Sequence, residues 1–269
     1  MAPIAAFLTL VSAASVSASF LVPSQPRSPA WRSGSCLALT RRGAAVMGAP
    51  TADAPKSKSF VQTEMRSAAM KLHTRDQSKE GKQEAQTPVV KWEPGREDYL
   101  QFLVDSKNVY RCLEEIVEQN DVYASFRDSG LERGAALDKD IAWFESEGLK
   151  EPPLGKYGEE YATELRALAD AKEFAKLTCH FYNFYFAHTA GGRMIGKMMS
   201  DKLLDGRTLE FYQWERGDPK EELLPALREQ IDSMANGWTR EQKDACLAET
   251  AASFKGGGSM LKYLREPQS

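Results

Sequence analysis

In several stretches of the chain apolar residues recur at spacings of three and four, the period of helices that turn one face inward. The pattern predicts helices over residues 99–119, 161–176 and 239–254, set apart by the breakers Pro94-Gly95, Pro152-Pro153 and Gly217-Asp218-Pro219. Another amphipathic segment runs through residues 59–81, where Val61, Met65, Ala68, Ala69 and Leu72 make one stripe. Ser59 is its expected cap and Gly81 its expected stop. Strand-like alternation is confined to Pro88-Val-Val-Lys-Trp92, which reads as an extended connector, and there is no sequence repeat. The chain therefore reads as all-α.

One segment contradicts its own pattern. Residues 180–196, His180-Phe-Tyr-Asn-Phe-Tyr-Phe-Ala-His-Thr-Ala-Gly-Gly-Arg-Met-Ile-Gly196, read as a buried helix that contains three glycines. Each interior Gly costs a helix about 1 kcal/mol relative to Ala, roughly 3 kcal/mol in all. At 100° per residue His180, Phe184, Ala187, His188, Gly191 and Ile195 share one broad face, with Gly192 at its edge. Two arrangements offset the loss. A neighbouring helix packs closely on the small residues, or the helix kinks at the pair; alternatively a flat ligand such as a porphyrin lies against bare backbone. The second needs an axial ligand elsewhere, and only His73, His180 and His188 are available. His73 sits at the edge of the first apolar stripe, beside Ala69. Arg66, seven residues earlier on nearly the same side, is about 10 Å away at 1.5 Å per residue. That is the reach from an iron to the propionate rim of its porphyrin.

The amino terminus has a different composition. No acidic residue occurs from Met1 to Ala52, and an apolar run from Ile4 to Ala18 ends in small residues before Phe20. It reads as a signal-peptide-like segment (1–19), too short to span a membrane. Arg27, Arg32, Arg41 and Arg42 among Ser, Pro and Ala then compose a transit-peptide-like segment (20–57). What remains, 58–269, is the length of one domain. Removing the leader's five basic residues and one acidic residue leaves 30 basic against 37 acidic, which argues against nucleic acid as a partner. Cys112, Cys179 and Cys246 remain, an odd number without Cys-x-x-Cys spacing, so neither a disulfide framework nor a zinc site is indicated.

The strings Met65-Arg-Ser-Ala-Ala-Met-Lys-Leu-His73, Lys91-Trp-Glu-Pro94, Phe102-Leu-Val-Asp-Ser-Lys107, Gly130-Leu-Glu-Arg133, Trp238-Thr-Arg-Glu241, Cys246-Leu-Ala-Glu-Thr250 and the whole of 180–196 resemble plant-type haem oxygenase. The resemblance implies a single-domain helical fold with haem b between a proximal and a distal helix. It implies His73 as the iron ligand, Gly191 and Gly192 as distal backbone close to the haem, and Arg66, Tyr182 and Arg228 as propionate partners. The implied reaction consumes O2 and converts haem to biliverdin IXα, CO and Fe2+, with electrons from reduced ferredoxin. Such a chain would be a monomer of the plastid stroma, feeding a downstream bilin reductase. The two-part leader resembles that of algae with secondary plastids of red ancestry.

Two departures from the family stand out. His188 occupies the position of a distal Asp in animal and bacterial relatives, so it is expected to orient distal water, while His180 is expected to serve packing. Lys255-Gly-Gly-Gly-Ser259 falls in the last helix, where three glycines cost about 3 kcal/mol. The helix is expected to break or bend there, which puts in doubt the pocket wall that Phe254 and Leu261 flank. Docking of an acidic ferredoxin would need local basic patches, and Lys71, Arg75 and Lys79 at i, i+4, i+8, with Arg193 and Lys197, are the candidates. Two alternatives accompany this reading: a non-catalytic haem-binding regulator on the same scaffold, and a thiaminase-like activity that would need a nucleophilic cysteine.

Overall fold

A computed structural model describes residues 59–73, 79–84 and 87–266, so both leader segments and Arg75 lie outside the described residues. Among the described residues there are helices and turns and no β-strand, in keeping with the all-α expectation. A π turn (Val61–Met65) leads into α1 (Arg66–Lys71). There follow α2 (Arg96–Gln119), α3 (Gly134–Ser146), α4 (Lys156–Asp170) and α5 (Phe174–Ala187). A second π turn (His188–Gly192) joins α5 to α6 (Arg193–Leu203). The chain ends with α7 (Leu223–Asn236), α8 (Arg240–Ala248), α9 (Thr250–Ser259) and the short α10 (Lys262–Arg265). Long α2 packs on α3 and α4, α5 packs on α8 and α9, and α10 returns to α2.

Ser59 is the cap that its sequence promises: its Oγ accepts from the Gln62 N–H at 3.0 Å. Asp232 of α7 accepts from the Val61 N–H at 2.9 Å, which fixes where the segment enters the core. The helix does not reach Gly81, however; it stops at Lys71. Its last carbonyls find partners that a longer helix would not leave room for. Ala69 O accepts from the Leu72 N–H (3.0 Å) and meets the His73 ring at 2.9 Å, while Lys71 O and His73 O accept from the N–H groups of Lys82 and Gln83, both at 3.2 Å.

Other boundaries differ for equally local reasons. The expected helix over 161–176 is two helices, because Lys172 adopts a left-handed conformation (φ 57°) and the Glu173 N–H turns back to Leu168 O at 2.9 Å. Thr239 caps α8 through the Gln242 N–H (3.3 Å), but α8 closes at Ala248 and Glu249 separates it from α9. The connector at Pro88 to Trp92 is a 3-10 turn (Val89–Lys91) rather than extended chain, drawn together as the buried Trp92 indole donates to Thr87 O at 3.0 Å.

The expected break at Lys255-Gly-Gly-Gly-Ser259 is also absent, and α9 runs through all three glycines. Close packing offsets their helix cost. A Cβ on Gly256 would lie 2.3 Å from the Tyr161 ring of α4, and one on Gly257 would lie 3.2 Å from the Phe184 ring of α5. A buried polar ladder runs beside this contact, with Asn183 Nδ2 donating to Ser253 Oγ at 2.8 Å and Cys179 Sγ meeting Thr250 Oγ1 at 3.6 Å. Cys112, Cys179 and Cys246 are buried free thiols.

Asp105, wholly buried in α2, fastens the other side of the fold. It accepts from the backbone N–H of Gly155 (2.8 Å) and Gly158 (2.7 Å) at the start of α4, and from the Tyr263 hydroxyl of α10 (3.0 Å).

Candidate functional site

The two π turns fall at the two places the sequence marks for chemistry: the approach to His73 and the Gly191-Gly192 pair. The glycines of this face divide between two settings. A Cβ on Gly196 would lie 2.6 Å from the Tyr212 ring, so this glycine serves close packing. On Gly191 a Cβ would meet no atom within 4 Å, and on Gly192 it would lie 3.0 Å from His188 Nδ1. Gly191 and Gly192 open onto a cavity of about 320 Å3, whose distal wall also holds Phe184, Ala187, His188 and Ile195. Leu72 and His73 also line it, as do Phe102, Ser106 and Tyr110 of α2. The last wall comes from Phe254, Gly257, Gly258 and Leu261, so the wall in doubt is present. Gly258 behaves as Gly191 does, with no atom within 4 Å of a Cβ.

Three histidines have three distinct settings. His73 is half-buried on the cavity; its Nδ1–H donates to Ala69 O at 2.9 Å, and its ring stands edge-on to Phe254 with centroids 5.5 Å apart. That hydrogen bond selects the tautomer and leaves Nε2 as the nitrogen with a lone pair. His180 points away from the cavity into the core, as expected of a packing residue, with Nδ1 3.0 Å from the Tyr161 hydroxyl and Nε2 3.1 Å from Glu249 Oε1. Burial holds its pKa below the ordinary value, against the opposing pull of Glu249. His188 stacks on Phe211 with ring centroids 4.1 Å apart and donates from Nε2 to Phe211 O at 2.9 Å. Burial pushes its pKa down to about 3; the Phe211 hydrogen bond opposes this, and Arg133 and Arg193 add to it.

The wall behind His188 is itself fastened. Asp140 of α3 accepts from the N–H groups of Glu210 and Phe211, both at 2.8 Å, and so holds the turn that offers the Phe211 carbonyl. Burial raises the Asp140 pKa to about 6, although those two hydrogen bonds favour its charge. Arg133 donates to Gln213 O and lies over the Trp214 ring at 4.8 Å. Periodicity gave no hint of this arrangement, because residues 140 and 210 meet only through the tertiary fold.

Arg66, Tyr182 and Arg228 come from α1, α5 and α7 and converge in space. Burial raises the pKa of the Tyr182 phenol, while Arg228 and Arg66 both lower it. The Tyr182 ring packs on Phe186 at 4.1 Å, and the Arg228 guanidinium lies over the same Phe186 ring at 4.8 Å. These three side chains do not themselves line the cavity. The expected basic surfaces are weaker than the sequence suggests. Lys79 lies in a turn beyond α1, so Lys71 and Lys79 do not share one helical stripe. Arg193 faces Asp218 at 3.0 Å and Lys197 faces Asp201 at 2.5 Å, which compensates both charges. A second concavity, about 380 Å3, is edged by Glu114, Glu118, Arg127 and Glu132; its charged rim suits solvent better than an apolar macrocycle.

The low pKa of His188 has a sign that can be checked. Its folded value lies below the ordinary 6.5, so the unfolded chain takes up the proton first as pH falls. The stability this neutral imidazole allows is present above pH 6.5 and is lost as pH falls toward about 3. Asp140 acts in the opposite sense below about 6, so the comparison is made against His188→Gln. The stability of wild type relative to this variant is expected to fall by up to about 1.4 kcal/mol per pH unit below 6.5. Urea unfolding between pH 7.5 and 4.5 measures it, and a constant difference would show that His188 takes up its proton in the folded state.

The helical scaffold thus lines one cavity with a tautomer-locked histidine and with bare helix backbone, room for a flat group. Heme oxygenase is the family model that matches residues 60–262, and the chain belongs to that family. It is 48% identical to Heme oxygenase 1, chloroplastic, of Oryza sativa subsp. japonica over 80% of this chain and 74% of the relative. It is 46% identical to the Arabidopsis thaliana protein of the same name over 78% and 75%. Its fold is similar to that of heme oxygenase-2 from Synechocystis sp. PCC 6803, solved in complex with heme and NO, with a TM-score of 0.54 at 17% identity over 77% of this chain and 82% of that one.

Proposed function

We propose that this chain is a ferredoxin-dependent haem oxygenase of the plastid stroma, which opens haem b at the α-meso carbon to biliverdin IXα, CO and Fe2+ for bilin synthesis. The observation that carries the reading is one cavity lined both by His73 and by Gly191 and Gly192. The donor set fits haem, because His73 has its Nδ1 engaged by Ala69 O and its Nε2 available, and open space lies beside two helix backbones, at Gly191 and Gly258. The chloroplastic relatives support the compartment; the two-part leader is the proposed route to it.

Haem, as substrate, supplies the iron at which dioxygen is reduced. His73 would hold that iron through a neutral imidazole, which donates less electron density than a thiolate and so would not favour O–O cleavage in the way a Cys ligand does. Gly191 and Gly192 keep side chains out of the distal space and let backbone approach the macrocycle. With Nε2 committed to Phe211 and its pKa held far below neutrality, His188 retains only Nδ1, as an acceptor. It therefore orients a water molecule and does not act as the acid. Arg66, Tyr182 and Arg228, which converge outside the cavity lining, would hold propionates that extend beyond it. The thiaminase-like alternative lacks support at Cys112, whose thiol burial pushes up to about 11 and which donates to Ala162 O at 3.5 Å.

The test loads the chain with hemin in air, supplies ascorbate or ferredoxin with its reductase, follows the Soret band and extracts the pigment. Loss of the band with biliverdin IXα appearing is the expected result. A bound haem that is never opened would favour the regulator instead. Exchanging Lys71, Arg75 and Lys79 together for Glu should slow ferredoxin-driven turnover several-fold and spare ascorbate-driven turnover. An equal loss in both assays would count against docking at that surface.

A further inference from the structure

Beneath the distal helix, on the side of α5 away from the cavity, Glu164, His180 and Glu249 bring one ligand atom each to within 4.8 Å of one another. We propose that these three side chains form a binding site for a divalent first-row transition ion, separate from the haem cleft.

The arrangement has the parts such a site needs. His180 Nε2 and Glu249 Oε1 are 3.1 Å apart, a separation that suits a hydrogen bond and equally suits two neighbouring ligands at about 2.0–2.2 Å from one ion. The other ring nitrogen is already engaged, with Nδ1 3.0 Å from the Tyr161 hydroxyl, which is the outer partner a ligating imidazole ordinarily has. Tyr161 and Glu164 lie three residues apart on α4, so the orienting hydroxyl and the third ligand arise from the same helix face. Ligands on opposite sides of an ion stand at most about 4.4 Å apart by those bond lengths. Glu164 is exposed, so a small rotation of its side chain closes the remainder and gives solvent access to the site. Two carboxylates and one neutral imidazole carry two negative charges, which a divalent ion cancels. Mixed nitrogen and oxygen donors select Zn2+, Fe2+, Co2+ or Mn2+ over Ca2+ and Mg2+. Ferrous iron, the ion that the proposed reaction releases, belongs to this class, but the site stands without that reading.

Its position gives the ion something to act on. Glu249 forms the joint between α8 and α9, His180 belongs to α5, and Tyr161 packs on Phe184, a cavity residue, with ring centroids 5.8 Å apart. An ion held there would tie α4, α5 and the α8–α9 joint together one helix turn behind the haem wall.

The experiment titrates the tag-free, haem-free chain with Co2+, reading its visible ligand-field bands, and with Zn2+ by calorimetry. One ion per chain is expected, with a raised unfolding temperature. Glu164→Gln, at an exposed position that leaves the core intact, should weaken binding at least tenfold and remove the thermal shift, and Glu249→Gln should weaken it further. His73→Ala should leave binding unchanged. A chain that takes up no Co2+, or binds it equally after both Glu substitutions, overturns the proposal. So does binding lost on His73→Ala, which would place the ion on the cavity histidine.

Discussion

His73→Ala is expected to reduce haem turnover by at least about 100-fold while leaving the fold intact. The ring is half-buried, and its neighbours along the chain are held by backbone hydrogen bonds from Lys82 and Gln83 that do not involve the side chain. Removing the ring leaves Ala69 O near the chain end of α1, where water can replace the lost donor, so little stability is at stake. Loss of the proposed iron ligand is another matter, since even the outer partners of a metal-bound histidine carry 10- to 100-fold effects. The Soret maximum of the bound hemin should shift, and added imidazole should restore part of both spectrum and turnover. Full turnover in the variant would remove His73 from the role given to it. Loss without imidazole rescue would point to a damaged fold.

The second large effect is a contrast between positions two residues apart. Gly256→Leu places a branched side chain where even a Cβ would be 2.3 Å from the Tyr161 ring, so the variant is expected to unfold several degrees lower, in line with overpacking of about 1–3 kcal/mol or more. Gly258→Leu meets no protein atom at its Cβ and improves helix propensity by nearly 1 kcal/mol, so its unfolding temperature should stay level or rise. Its side chain enters the cavity, however, and hemin affinity should drop at least tenfold. Thermal unfolding and hemin titration of the two variants test this together. If Gly258→Leu binds hemin as tightly as wild type, α9 does not form a wall of the haem site.

That contrast also shows what was legible in the sequence. In the sequence the glycines of α9 are visible only as a cost that predicts a break, because periodicity describes one helix at a time. Whether a glycine is a defect or a contact depends on the ring opposite, here Tyr161, which lies ninety-five residues away in the chain. The early stop of α1 is hidden in the same way, decided by backbone partners at Lys82 and Gln83, whereas the turn at Lys172 is a local left-handed residue that periodicity does not register. Local chemistry is legible along the chain: Ser59 and Thr239 cap as their side chains dictate, α2 covers its apolar run, and the face of Phe184, Ala187, His188, Gly191 and Ile195 does line one cavity. His180, placed on that same face by a regular 3.6-residue count, faces the core. For His188, the sequence offers an imidazole and an expectation of water contact. Only the Asp140-held carbonyl of Phe211 shows that Nε2 is the donating nitrogen, which leaves Nδ1 as the acceptor.

The ladder that joins Asn183 to Ser253 and Cys179 to Thr250 bears on uniqueness more than on strength. Apolar side chains of similar volume would hold α5 and α9 together as firmly, since burying polar pairs brings little net gain. They would also tolerate a slide of α9 by a residue or a turn, because one methyl group is as good a neighbour as the next. Hydrogen-bonding pairs match in one alignment only. In this chain the alignment decides which of three consecutive glycines touches Tyr161, which touches Phe184 and which is left facing the cavity. A repacked interface with Ala or Leu at 183 and 253 could thus keep its melting temperature and yet populate several cavity shapes, and with them a mixture of ring-opening products.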